Sequence, residues 1–163
     1  TREPDVLAKL VRAVDEGDGE PYLTATIREI LRHRPVLLNA APRTVKKPIE
    51  VGGIHYESRV HLVVSAWLVQ HDPDIYPEPY AFRPERFLDS DPGTYSWIPF
   101  GGGRRRCIGA SFAQMEMAIV LRELLRSTEV TAGADGAEFT IRRAITVTPG
   151  RGAETVLADR AAA

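Results

Sequence analysis

Apolar residues in the first part of the chain recur with a helical period. Leu7, Leu10, Val11 and Val14 fall at i, i+3, i+4 and i+7, one stripe of an amphipathic helix that Gly17 and Gly19 end. Pro21 suits the first turn of a second helix, near 21–34, whose apolar arc is Leu23, Ile27, Ile30 and Leu31 and which Pro35 stops. The pattern then shortens. Arg43 to Tyr56 predicts short extended segments turning at Gly52-Gly53, and the β-branched run Val60 to Val64 predicts a strand. Ser65 can cap a short helix reaching His71. From Gly109 to Arg126, Phe112, Met115, Met117, Ile119, Val120, Leu121, Leu124 and Leu125 cover nearly every side of a helix, a pattern that predicts an interior position. Between 138 and 158, Phe139 to Val147 and Thr155 to Leu157 alternate like two small antiparallel strands. There is no internal repeat, and the terminal alanines are the only low-complexity tract.

Six of the twelve prolines lie between Pro73 and Pro99, which predicts an irregular but ordered loop. A loop of that length in a compact domain is usually functional or wraps something. Composition narrows the rest. A chain of 163 residues suits one domain, and a net charge of −1 gives no electrostatic case for nucleic acid or anionic lipid. One cysteine excludes an internal disulfide and fits a reducing compartment. No apolar run reaches the roughly 18 residues that a membrane span needs. His33, His55, His61 and His71 show no metal-ligand spacing, and Gly101-Gly102-Gly103 lacks the Lys-Ser/Thr of a phosphate loop.

The strongest candidate chemistry is the stretch from Phe100 to Gly109. It holds the lone Cys107, directly after Arg104, Arg105 and Arg106 and directly before the predicted helix. Three guanidiniums and the positive end of a helix dipole favour the anionic form of a sulfur. Glycines let the backbone turn its N–H groups inward around such an anion. Taken by themselves, these residues leave three readings open: a small buried hydrophobe, a nucleophile of a thiol hydrolase, or a metal ligand.

The pattern Phe-x-x-Gly-x-Arg-x-Cys-x-Gly, carried by Phe100, Gly103, Arg105, Cys107 and Gly109 after Trp97-Ile98-Pro99, resembles the haem-ligand loop of the cytochrome P-450 superfamily. Two further landmarks stand upstream in the same order. Glu29-Ile30-Leu31-Arg32 resembles its Glu-x-x-Arg motif, and Phe82-Arg83-Pro84-Glu85-Arg86-Phe87 resembles the segment supplying the third member of its ion triad. His71-Asp72-Pro73 is similar to a helix-ending element of the same family.

The resemblance implies a mainly α fold with small antiparallel β-sheets, a single partial domain over 1–163 equivalent to the C-terminal, proximal-haem portion of that family's fold. It implies haem b (iron protoporphyrin IX) with Cys107 as the thiolate ligand, which favours O–O cleavage. Arg105 and Arg43 would hold the propionates, since guanidinium matches carboxylate bidentately. Phe100 would shield the sulfur, while Gly103, Gly109, Ala110 and Ala113, with Glu116 on the same helix, would let the ring sit close. Arg104 and Arg106 would face an electron-transfer partner, a ferredoxin or a reductase. The activity implied is a monooxygenase acting on a small organic substrate, in a cytoplasmic protein of the soluble bacterial type. Of the substrate-facing surface, only Leu37 to Ala41 would be retained. The helix bearing the oxygen-activating acid and alcohol has no counterpart here, so the chain reads as a fragment or truncated copy with no catalytic group beyond the haem ligand. The alternative is therefore an inactive fragment or a haem-binding module.

Glu29 and Arg32 bring two expectations into conflict. Opposite the arc of Leu23, Ile27, Ile30 and Leu31, they should form an exposed i,i+3 ion pair worth only about 0.2–0.5 kcal/mol. The resemblance instead implies that they are buried and joined by Arg86 beneath the 73–99 loop, and we take that as the expectation.

Overall fold

The computed structural model describes residues 2–17, 19–133 and 138–160, so the terminal alanine tract lies outside the described residues. Helix α1, Pro4–Glu16, ends at Gly17 in the left-handed conformation, and helix α2, Glu20–His33, starts with Pro21 in its first turn. Strands β1 (Arg43–Thr44), β2 (Ile49–Val51), β3 (Ile54–Tyr56) and β4 (His61–Leu62) follow. β2 and β3 form a hairpin across Gly52-Gly53, while β1 pairs with β4. Helix α3, Ala66–Gln70, is capped by the Ser65 hydroxyl, which accepts the Leu68 N–H. The proline-rich stretch contains only a 3-10 turn at Pro84–Phe87. Helix α4, Ala110–Ser127, leads into β5 (Thr128–Ala132), then β6 (Thr140–Arg143), β7 (Thr146–Pro149) and β8 (Thr155–Asp159).

Three parts of this layout depart from the pattern. The strand expected over Val60 to Val64 is reduced to two residues, with Val63 and Val64 half-exposed, because only His61 and Leu62 meet β1. The segment Phe139 to Val147 is not one strand of a pair but a hairpin in itself, β6 against β7. β8 finds its partner in β5, which directly continues α4 and alternates in burial, with Thr128 and Val130 half-buried and Glu129 and Thr131 exposed. The third departure is α4. Only Ala110 and Leu125 are buried, and Met117, Ala118 and Leu121 pack against the core of Leu10, Val14, Leu23, Ile27 and Leu31. Phe112, Met115, Ile119 and Val120 stay about half exposed. The apolar composition is there, but α1 and α2 cover only one side of the helix.

The other side of α2 holds an ionic core. Glu29 and Arg32 are both 0% exposed, whereas Ile30, on the predicted apolar arc, is 37% exposed. Periodicity alone therefore misplaces this face. Arg32 meets the Glu29 carboxylate with two parallel bonds, Nε to Oε2 at 2.7 Å and Nη2 to Oε1 at 2.8 Å. Oε1 also accepts the Arg83 N–H at 2.8 Å and Arg86 Nε at 3.3 Å. The leftover guanidinium donors reach main-chain oxygens: Arg32 Nη1 to Gln70 and Pro79, and Arg86 Nη1 to Pro77. The proline-rich loop has no ladder to satisfy its carbonyls, and these arginines supply the donors instead. Tyr76 completes the lining, its ring 5.2 Å from the Arg32 guanidinium carbon.

Beside this core His71 stacks on Trp67 at 3.7 Å between centroids. Its Nδ1–H donates to the Trp67 carbonyl, which leaves Nε2 buried without a partner. His33 lies 6.0 Å away and donates to the Tyr80 carbonyl. Burial lowers the pKa of both rings, with the neighbouring Arg32 and Arg34 acting in the same direction.

Glu29→Gln leaves two guanidiniums without their counter-charge and should cost on the order of 3–5 kcal/mol in urea unfolding. The exposed pair Lys9–Glu85 offers a control, since Lys9→Ala should cost less than about 1 kcal/mol. Equal losses at the two positions would contradict the ionic core. Between the depressed folded values and the ordinary 6.5, the unfolded chain binds protons that the folded chain refuses. Stability is thus full above 6.5 and declines as pH falls below it. A melting-temperature profile in His71→Gln should be flatter over that window, and an unchanged slope would contradict the buried neutral ring.

Candidate thiolate site and family membership

Cys107 sits where the irregular loop meets α4, and short backbone bonds fix its frame. The Gly101 N–H donates to the Ile98 carbonyl at 3.0 Å, and the Cys107 N–H closes the loop onto the Phe100 carbonyl at 2.9 Å. Within that closure the backbone turns sharply at Gly101 (φ 69) and Gly103 (φ 61), a conformation costly for residues with a Cβ. Gly103–Arg105 forms a 3-10 turn, and the Ala110 N–H donates to the Cys107 carbonyl at the mouth of α4. The loop rests on Trp97, whose indole N–H donates to the Arg28 carbonyl of α2 and whose ring meets Phe100 edge-on at 6.1 Å.

Phe100, Gly103, Arg105, Cys107 and Gly109 thus lie in one continuous loop, with Ala113 one turn into α4. Cys107 is exposed, so the reading of a small buried hydrophobe does not describe it. Phe100 packs against Trp97, below the loop. Arg104, Arg105 and Arg106 are exposed and form no ion pair among the described residues. Arg43 stands on β1, away from the loop in sequence, with its guanidinium bonded to the Ala41 and Pro42 carbonyls. Its strand is carried by the segment 38–45 running antiparallel to 59–67, through bonds such as Ala40 N–H to Val64. Glu29, Arg32 and Arg86 meet in the ionic core rather than at the sulfur.

The groups around Cys107 are chemically compatible with a flat, apolar, carboxylate-bearing metal complex. Gly109 has an ordinary φ of −85, and a Cβ built there would touch only the Cys107 sulfur, at 3.8 Å. Nothing in the chain itself requires glycine at this position. A planar group seated on the sulfur would need the space. Ile108, fully exposed, starts an apolar stripe that continues through Phe112, Met115 and Ile119 on the open side of α4. A soft thiolate suits iron, and exposed guanidiniums suit propionates. Among the described residues no group of His, Cys, Asp and Glu could hold a metal ion by itself.

Sequence reasoning missed two features here. Ile108 went unremarked because a single residue between the cysteine and a glycine has no periodicity. The β6–β7 hairpin is tied to the start of the 37–41 segment by the Val147 N–H and the Val36 carbonyl at 2.9 Å. Nothing local in either segment announces that contact.

The family model for cytochrome P-450 matches residues 17–152. Among curated proteins, cytochrome P-450 137 of Mycobacterium tuberculosis is 44% identical over 149 residues, covering 91% of this chain and 31% of the relative. Cytochrome P-450 138 of Mycobacterium bovis is 38% identical over 160 residues, covering 98% and 36%. The chain therefore spans about a third of the length of these relatives. Among solved structures, cyanobacterial CYP120A1 with retinoic acid bound shares the fold with a TM-score of 0.88 at 22% identity, over 98% of this chain and 40% of that one. A zebrafish cytochrome P-450 solved with progesterone gives 0.82 at 25%, over 98% and 39%. Among the described residues no helix is long and apolar enough to cross a membrane. With a family-model match over most of its length and a fold shared with these solved structures, the chain belongs to the cytochrome P-450 family and carries the C-terminal portion of its fold.

Proposed function

We propose that these residues form the proximal half of a haem-thiolate monooxygenase site, with Cys107 as the iron ligand. The observation that carries this reading is an exposed sulfur at the start of α4, framed by a glycine-turned loop and bordered by an apolar stripe. Haem b, when bound, supplies the oxygen chemistry: one atom of O₂ enters a small organic substrate, and the other leaves as water with two electrons and two protons. The protein's part is to present, orient and shield. Cys107 is held through its own N–H, which donates to the Phe100 carbonyl, and the residue is exposed rather than packed into the core. Arg105 and Arg43 would clamp the propionates. Ala113 and Gly109 would keep the helix surface low beneath the ring. Arg104 and Arg106 offer a positive surface for an acidic electron donor, a ferredoxin or a reductase, in a soluble cytoplasmic setting.

A second reading, haem binding without turnover, rests on the chain spanning only about a third of the length of the curated relatives it matches. Turnover by the chain alone would remove it.

The deciding measurement is the reduced, CO-bound difference spectrum after haem addition. A strongly red-shifted Soret band that disappears in Cys107→Ser is expected, and its survival in the variant would overturn the ligand assignment. Losing a charge-assisted pair worth about 1.5–3 kcal/mol should weaken haem retention by roughly tenfold or more in Arg105→Leu. Titration with haem checks this, and an unchanged affinity would remove Arg105 from the clamp.

A further inference from the structure

Gln70, the last residue of α3, carries no motif, yet it is 0% exposed and every polar atom of its side chain is used. Its Nε2 donates to the carbonyls of Leu31 at 3.2 Å and Arg32 at 3.0 Å. Both belong to the last turn of α2, where helical carbonyls lack donors of their own. Its Oε1 accepts the Ile98 N–H at 3.0 Å. Its main-chain oxygen accepts Arg32 Nη1 at 2.7 Å. Its side-chain amide therefore joins the end of α2 to the chain leading to the thiolate loop, while its main-chain carbonyl receives the guanidinium of the ionic core.

Ile98 is where that chain becomes the loop. Its N–H is held by Gln70, and its carbonyl accepts the Gly101 N–H at the first sharp turn. Two residues after Ile98, the Phe100 carbonyl receives the Cys107 N–H. The loop thus takes a side-chain anchor from Gln70 at its base, beside the tie from the Trp97 indole to α2, and a backbone closure at its mouth. Only a primary amide offers two donors and an acceptor on one flat group of this size. Carboxylate lacks the donors, and an apolar side chain lacks both.

We propose that Gln70 is a positioning residue for the thiolate, fixing the base of the 98–107 loop against the ionic core. The role rests on the reading of Cys107 as haem ligand. Gln70 touches neither the sulfur nor the space beside it and acts through Ile98.

The test is residue-resolved amide hydrogen exchange of the haem-free chain, compared across wild type, Gln70→Met and Gln70→Glu. Rates at Ile98, Gly101 and Cys107 are divided by those of α1, so that any global loss of stability cancels. In Gln70→Met the ratio should rise by about tenfold, the value of a typical hydrogen bond. Gln70→Glu keeps an acceptor for Ile98, so its ratio there should stay within about threefold of wild type. A ratio unchanged in Gln70→Met, or raised equally in both variants, would overturn the proposal. After haem addition, Gln70→Met should convert part of the red-shifted CO band to a band at shorter wavelength, and full retention of the wild-type band would also overturn it. If wild type itself shows no red-shifted band, the ligand reading fails, and the exchange ratios still decide whether Gln70 anchors the loop.

Discussion

The Glu29 carboxylate is a charge with no access to water, and much of the structure is arranged around that fact. A buried carboxylate is tolerable only when opposite charge and donors surround it. Here it receives two bonds from Arg32, one from Arg86 and one from the Arg83 backbone. Each guanidinium has more donors than the carboxylate can take, and the surplus is directed at carbonyls of residues 70 to 81. The same charge cluster therefore closes α2 and orders a proline-rich loop that has no regular hydrogen bonding of its own. Removing the carboxylate would leave both arginines and the loop carbonyls without a common focus.

From that core, order passes to Cys107 through neutral groups. Trp97 hydrogen-bonds to α2, Gln70 ties α2 and α3 to Ile98, and Phe100 packs on Trp97 while accepting the Cys107 N–H. The buried charges stay in the ionic core, away from the sulfur, while the only charges in the ligand loop are exposed guanidiniums. Keeping the rigid ionic cluster away from the reactive atom lets the cluster serve stability while the loop keeps an open face. The two tasks conflict in one place only, the base of the loop, where tight anchoring and a freely presented sulfur must coexist.

Helix α4 shows the same division between support and presentation. Its packed side, through Leu125, Leu121, Met117 and Ala118, joins the core formed with α1 and α2, and the Arg122–Glu20 pair adds an ionic tie to α2. Its open side continues as an apolar stripe from Ile108. Contiguous exposed apolar surface of this kind marks a place where another surface sits.

Local chemistry in the sequence determined the parts that depend on local rules. Gly17 ends α1, Pro21 opens α2, Ser65 caps α3, Gly52-Gly53 turns a hairpin, and the glycines around Cys107 permit a tight loop, because each acts within a few residues of itself. The lone sulfur beside three arginines was equally legible as chemistry. Tertiary structure decided what depends on contacts distant in sequence. The side of α2 carrying Glu29 is buried because Arg86 and the loop carbonyls arrive from more than forty residues away, and helical periodicity registers hydrophobic burial but not ionic burial. β5 is a strand because β8 pairs with it, and α4 is half exposed because, among the described residues, only the helices α1 and α2 pack against it. Gln70 is a polar residue at the end of a five-residue helix, and no pattern distinguishes it from a solvated one until the end of α2 and the chain at Ile98 converge on its amide.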